Sequence, residues 1–396
     1  MKLFKSLLVA PAALGLLSPL SANATEVNLN EISNYSDVES IEFANSFDDA
    51  SSNQSPLLAG GEGLVNSSDS FDGSFSETTT ASFGVNFYAG AENDDDTGHD
   101  LDDNLTTGYD FSIGLTTSFT GEDSLDVAIQ AGNADAAGIG EFDGDTTNNE
   151  ALVVVEITYT FPLGDNITVM VGDNMDASGL FTTACVYGTP SNTLDACGNV
   201  NAAVDNGGVM AGASYDFGNG LTAAVGYAGS EDDIANEEGS DAIGFNFAYS
   251  ADSYGVSFTY GAVEDGVDST DGNHNQGTDY AYALNAYYVP EADGLPSVSV
   301  GYEYGEDDSE VAASDEYTNI FAGLQWDEFG PGTLGLAMGT RVNTVEDTDA
   351  QYQYEAFYDY PLNDNVVITP VLFVKDISTA NTDDTTGVMV RTSFSF

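Results

Sequence analysis

The chain has 396 residues, with 66 Asp and Glu against five Lys and Arg, and a formal charge of −61. It offers no basic patch to phosphate, which excludes nucleic-acid binding. The 22 Phe and 21 Tyr separate it from acidic disordered chains, which are poor in aromatics.

Lys2 and Lys5 precede an apolar stretch, Leu7 to Leu20, which is broken by Pro11 and Pro19 and followed by Ala22-Asn23-Ala24. This pattern predicts a secretory signal, residues 1–24, cleaved after Ala24; the stretch is too short to be a stable span. No later apolar run reaches helical spanning length, so an α-helical membrane protein is not expected. Removing the signal leaves Arg341, Lys375 and Arg391 as the basic residues. Residues 25–78 are rich in Ser, Asn, Asp and Glu without a sustained period. They read as an acidic, largely flexible periplasmic segment, with one short helix over 38–47 and a hinge at Gly60-Gly61-Glu62-Gly63.

From Ala81 the chain repeats one unit, about ten alternating residues and then a turn, for about sixteen units. In Tyr109 to Phe119 the odd positions are apolar and the even ones small or polar. In Ala151 to Phe161, Val153, Val155, Ile157, Tyr159 and Phe161 share the apolar face. The chain closes on Gly387 to Phe396, with Val388, Val390, Thr392, Phe394 and Phe396 on one face and Met389, Arg391, Ser393 and Ser395 on the other. Charges keep one phase: Asp110, Asp126, Glu156, Asp216, Glu303, Arg341, Glu355, Asp359 and Arg391 all fall on the polar side. A basic charge facing lipid at mid-depth costs roughly 2–4 kcal/mol, and acids somewhat less. Tyr and Phe gather near strand ends, as interfacial girdles require.

The connections alternate in length. Short turns such as 121–123, 162–165, 218–220, 251–252 and 361–364 carry Gly, Asn, Asp and Pro, which supply the backbone angles of tight hairpins. Between them lie long acidic loops at 92–107, 133–149, 173–206, 230–240, 262–278, 305–316, 343–350 and 376–385. The expected fold is therefore an all-β, antiparallel, up-and-down transmembrane barrel over residues 79–396, with short periplasmic turns and long extracellular loops, in the cell outer membrane.

The chain resembles the cyanobacterial outer-membrane porins, relatives of the carbohydrate-selective porin family. The resemblance lies in Thr117-Ser118-Phe119-Thr120-Gly121-Glu122-Asp123-Ser124-Leu125 with Ala131-Gly132-Asn133, in Cys185 with Thr193-Leu194-Asp195-Ala196-Cys197-Gly198-Asn199, and in Arg391 to Phe396. It implies a passive channel for small hydrophilic solutes and inorganic ions, and a homotrimer. Members of that family carry a surface-layer-homology domain before the barrel; the stretch after residue 24 is too short for one, so peptidoglycan contact and solute choice do not carry over.

Several residues stand out as candidates. Cys185 and Cys197 share the longest loop in an oxidising compartment and are expected to form a disulfide. By analogy with porin-like barrels, loop 173–206 folds inward and makes Asp173, Asp176 and Asp195 constriction acids; the alternative is a loop that shields the outer surface. Asp110, Asp126, Glu156, Glu303, Arg341, Glu355, Lys375 and Arg391 are expected to line the pore. The basic members either set up a transverse field or pair with acids to soften repulsion. The excess of carboxylates predicts a cation-preferring pore. The Asp94 to Asp100 run lacks the ligand spacing of a helix–loop–helix calcium site. His99 and His274 lie in other loops and accompany no nucleophile motif. No metal, cofactor or enzymatic role is expected. The alternative to a channel is a structural or adhesive surface barrel with a plugged lumen.

Overall fold

The computed structural model describes residues 79–93, 105–134, 139–142, 144, 151–204, 208–231, 234, 240–264, 278–307, 315–345, 348–376 and 384–396. The expected signal, the segment to residue 78, the Asp94 to Asp100 run, His99 and His274 lie outside them.

Alternating residues form strands wherever the period-two pattern runs. In order these are β1 Thr79–Asn93, β2 Thr106–Thr117, β3 Ser124–Gly132, β4 Val153–Pro162, β5 Ile167–Met175, β6 Gly208–Gly218, β7 Leu221–Gly229, β8 Asp241–Ser250 and β9 Tyr254–Glu264. There follow β10 Thr278–Tyr288, β11 Ser297–Asp307, β12 Asp315–Phe329, β13 Gly332–Thr340, β14 Thr344–Val345, β15 Tyr352–Asn363, β16 Val366–Lys375 and β17 Thr385–Ser395. The two-residue β14 pairs with β12 above β13, and the other sixteen strands form the wall. Every neighbour is antiparallel, and β1 pairs with both β2 and β17, so the sheet closes with no free edge. At the seam Phe83 and Phe396 exchange main-chain hydrogen bonds of 2.8 and 3.0 Å, and their rings stack at 5.6 Å. The short connections and both ends of the barrel chain lie at one rim, and the strand ends that lead into the long connections lie at the other.

Burial is inverted relative to a water-soluble core. Phe245, Phe247, Phe258, Leu284, Tyr302, Leu372 and Val388 are exposed, while Asn246, Thr259, Asn285, Ser299 and Glu303 on the opposite phase are buried. The exposed set is the outer face, which must meet hydrocarbon, and the buried polar set points inward. The described strands of the wall run from 9 to 15 residues, enough to cross a bilayer when tilted.

One stretch of alternation departs from the sequence reading. The register slips between Ala128 and Ile129, so that β4 carries a β-bulge. Below it Ile157, Tyr159 and Phe161 keep the outer phase; above it the phase flips. Val154 is exposed outside, and Val153 pairs with the inward Gln130. Val153 therefore does not share the outer face with Ile157, because the extra residue of a bulge shifts every later side chain to the opposite face.

Candidate functional site: the lined lumen

The connection after β5 turns into the barrel. Its main chain donates at every second residue to inward side chains of β8, β9, β11 and β12. Thr182 N donates to Asn246 Oδ1 on β8 (3.0 Å), Ala184 N to Ser257 Oγ on β9 (2.8 Å), Val186 N to Ser299 Oγ on β11 (3.0 Å) and Gly188 N to Gln325 Oε1 on β12 (2.9 Å). The loop is thus held extended against the wall by side chains that would otherwise face water. Glycines on the inner phase let it come close. A Cβ built on Gly226 would lie 1.6 Å from the Ala177 carbonyl oxygen, and one on Gly301 1.9 Å from that of Cys197.

Two buried carboxylates anchor the far half of the loop. Glu303, fully buried, accepts from Asn201 N (2.8 Å), Asn201 Nδ2 (2.7 Å), Ala202 N (2.9 Å) and Asn319 Nδ2 (2.9 Å). Glu355 accepts from Tyr187 Oη (2.7 Å) and from Ser191 Oγ. Burial first, and the adjacent carboxylate second, push the Tyr187 hydroxyl far above its usual range, so it stays protonated as a donor. Cys185 and Cys197 are joined within this loop, twelve residues apart. Asn285 Nδ2 donates to the Cys197 carbonyl oxygen (2.8 Å).

A second inward piece, residues 139–142 of the connection after β3, covers the inside of β1 and β15–β17. Ile139 and Phe142 join Tyr88, Leu194, Phe321, Phe357, Val371, Phe373 and Met389 in an apolar cluster inside the barrel. Several of these sit on the phase read as polar from the sequence. Phe357, Val371, Phe373 and Met389 were the available signal that part of the inner wall is covered. Glu141, Tyr187, Ser191 and Asn201 had no such signal, because their partners lie far along the chain.

The remaining expected site residues separate into groups. Asp110, Asp126 and Glu156, on β2, β3 and β4, are inward and partly exposed. Asp110 accepts from Asn86 Nδ2 (2.9 Å) and Tyr88 Oη (2.7 Å), Asp126 from Thr116 Oγ1 (2.7 Å), and Glu156 from Thr158 Oγ1 (3.0 Å). Lys375 is inward at the end of β16 and pairs with Glu92 (3.0 Å) and Glu141 (3.2 Å). Arg391 is inward on β17, opposite Tyr88. Arg341 lies one residue past β13, at the long-loop rim, where its guanidinium donates to Gln351 Oε1 (2.6 Å). It was expected within a strand, but the pairing of β13 ends at Thr340. Asp195 is exposed on the inward loop, and Asp176 is at the loop's start. Asp173 departs from the expected constriction. It is still in β5, directly opposite the exposed Ile157 and in phase with the exposed Val171, which puts it on the outer face at the strand end.

At the short-turn rim Asp123, 7% exposed, organises the turn after β2. Its Oδ1 accepts from Ser118 Oγ, Phe119 N, Thr120 N and Thr120 Oγ1 at 2.7–2.9 Å, and its Oδ2 from Tyr159 Oη at 2.7 Å. Burial alone would raise this carboxyl; the hydrogen bonds outweigh it and hold it well below the usual range.

No family model matches the sequence, and no curated protein does. The fold has solved counterparts. OprB of Pseudomonas putida superposes with a TM-score of 0.58 at 11% identity, over 81% of this chain and 94% of that one. An anion-selective porin from Comamonas acidovorans gives 0.58 at 15% identity over 81% and 99%. OmpT of Vibrio cholerae, lacking its loop L8, gives 0.56 at 11% identity over 81% and 100%. Closed wall, greasy exterior and these likenesses define the class: a sixteen-stranded, porin-type β-barrel of the outer membrane.

Proposed function

We propose that the protein is a porin that passes small hydrophilic solutes and ions by diffusion, with a preference for cations. The observation that carries this reading is the arc of the inner wall along β3 and β4, whose carboxylates, among the described residues, bond only to wall residues. Beside it on β2 Ser112, Gly114 and Thr116 are small; Asp126 and Glu156 keep access to water, and Asp110, also on β2, lies against Gly144. Small linings leave room for water, and carboxylates bordering a water path favour cations. Asp176 belongs to the same acidic border. Arg341 and Arg391 offset part of that charge, and Lys375 is taken up by two acids. The comparison porin described as anion-selective has the same fold, so selectivity must come from the side chains here and not from the architecture.

A homotrimer in lipid is part of this reading; OmpT of Vibrio cholerae is known in a trimer form. So is kinship with the cyanobacterial porins, on the sequence features given above. Single-channel recording in planar bilayers tests the channel, and the reversal potential in a salt gradient tests its preference. Cation preference predicts a potential of the sign set by the cation gradient; the opposite sign rejects it.

The apolar cluster inside the barrel favours a second reading, a structural or adhesive barrel whose lumen is plugged. Absence of conductance steps from folded protein would select it.

A further inference from the structure

The inward loop after β5 does not stand alone, and the piece that meets it is tied by charge. Glu141, with its side chain 2% exposed, receives bonds from three places. Lys375 Nζ on β16 lies 3.2 Å away; Gln353 Nε2 on β15 donates at 2.9 Å; Thr193 of the other loop donates through Oγ1 at 2.6 Å and through N at 3.3 Å. Lys375 also holds Glu92 on β1, at 3.0 Å. On either side of Glu141 the two loops touch again. Phe142 and Ser191 form a β-bridge, and Asn192 Nδ2 donates to the Gly140 carbonyl oxygen at 3.4 Å.

Burying a carboxylate is costly unless charge and hydrogen bonds compensate it, so this arrangement is stable only when all its members are present. The apolar contacts of Ile139 and Phe142 are non-directional and would tolerate sliding. The bonds to Glu141 are directional and come from two wall strands and the second loop, so they set a position. One of the three basic residues outside the expected signal is committed here.

We infer that Glu141, clamped by Lys375, is a positioning residue that locks residues 139–142 to the loop after β5 and thereby sets the aperture left along β3 and β4. The inference rests on the channel reading: the open width is the gap between the joined loops and that wall. Neither loop moves without the other while the clamp holds.

The test uses the full chain, purified and recorded in planar bilayers. Wild-type protein should give steady steps. Glu141→Ala and Lys375→Met should raise single-channel conductance several-fold, add flicker between levels and weaken charge selectivity. Lys375→Arg, which keeps a cation between the two acids, should restore the wild-type level and its quiet baseline. Should Glu141→Ala fail to fold, as judged by gel mobility before and after heating, the same-shaped Glu141→Gln takes its place and should flicker. Wild-type conductance and noise in Glu141→Ala or Glu141→Gln overturn the inference and leave the channel intact. A folded wild-type barrel that gives no steps overturns the channel reading and the inference with it.

Discussion

The inner wall of this barrel is two surfaces, and its carboxylates tell them apart. Along β8–β15, Glu303 and Glu355 are buried and each accepts hydrogen bonds from the loop after β5. Along β3 and β4, Asp126 and Glu156 have the same chemistry and the same inward phase, but among the described residues only near neighbours on the wall hold them. One arc behaves as the core of a folded domain, while the other leaves its carboxylates partly exposed. The lesson is that facing inward does not make a residue pore-lining. What packs over it decides.

This contrast can be attacked from the covered side first. Lys375→Met leaves the buried Glu141 and the half-buried Glu92 without their cation and should lower stability by about 3–5 kcal/mol, read from urea unfolding in vesicles. Replacing both Cys185 and Cys197 by Ser opens a ring closed over twelve residues and should cost about 3 kcal/mol in the same assay. Tyr187→Phe removes a hydrogen bond to a charged acceptor, worth about 1.5–3 kcal/mol. On the open side Asp126→Asn with Glu156→Gln should move stability by no more than about 0.5 kcal/mol. The pair should nonetheless shift the reversal potential away from cation preference. If the open-arc pair unfolds the protein, or the covered-arc changes leave it as stable as before, the two surfaces are not distinct.

A separate effect concerns the turn at the short-turn rim. Because the Asp123 carboxyl is held below its unfolded value, its contribution is present above about pH 4, the ordinary carboxylate range. It is lost as pH falls through the depressed folded value. Asp123→Asn should therefore be less stable than wild type near neutrality, with the gap in melting temperature closing as the pH drops below about 4.

The wall was legible from residue order because lipid imposes a local rule: every second side chain apolar, every second connection short. The closing strand, the seam aromatics and the charge phase all follow that rule. The lumen was legible only in part. The pairing of Cys185 with Cys197 matched expectation, but the anchors of the long loop did not announce themselves. Glu303 and Asp126 look alike in sequence, since what separates them is Asn201 and Ala202 arriving from a hundred residues away. The β4 bulge was hidden for a related reason. A slip between Ala128 and Ile129 is a property of the pair of strands, and neither strand shows it alone. Asp173 was misjudged by counting it with the loop, when pairing with Ile157 continues through it.

The distances along the chain between the loops and their anchors have a consequence for assembly. Ala202 meets Glu303 across 101 residues, Ser191 meets Glu355 across 164, and Glu141 meets Gln353 across 212. None of those docking points exists until most of the cylinder has been stitched together, and closing such long circuits is slow. The seam between Phe83 and Phe396 joins residues farther apart in the chain than any of these, so by the same measure the closing of the tube is no earlier a step than the seating of its lining.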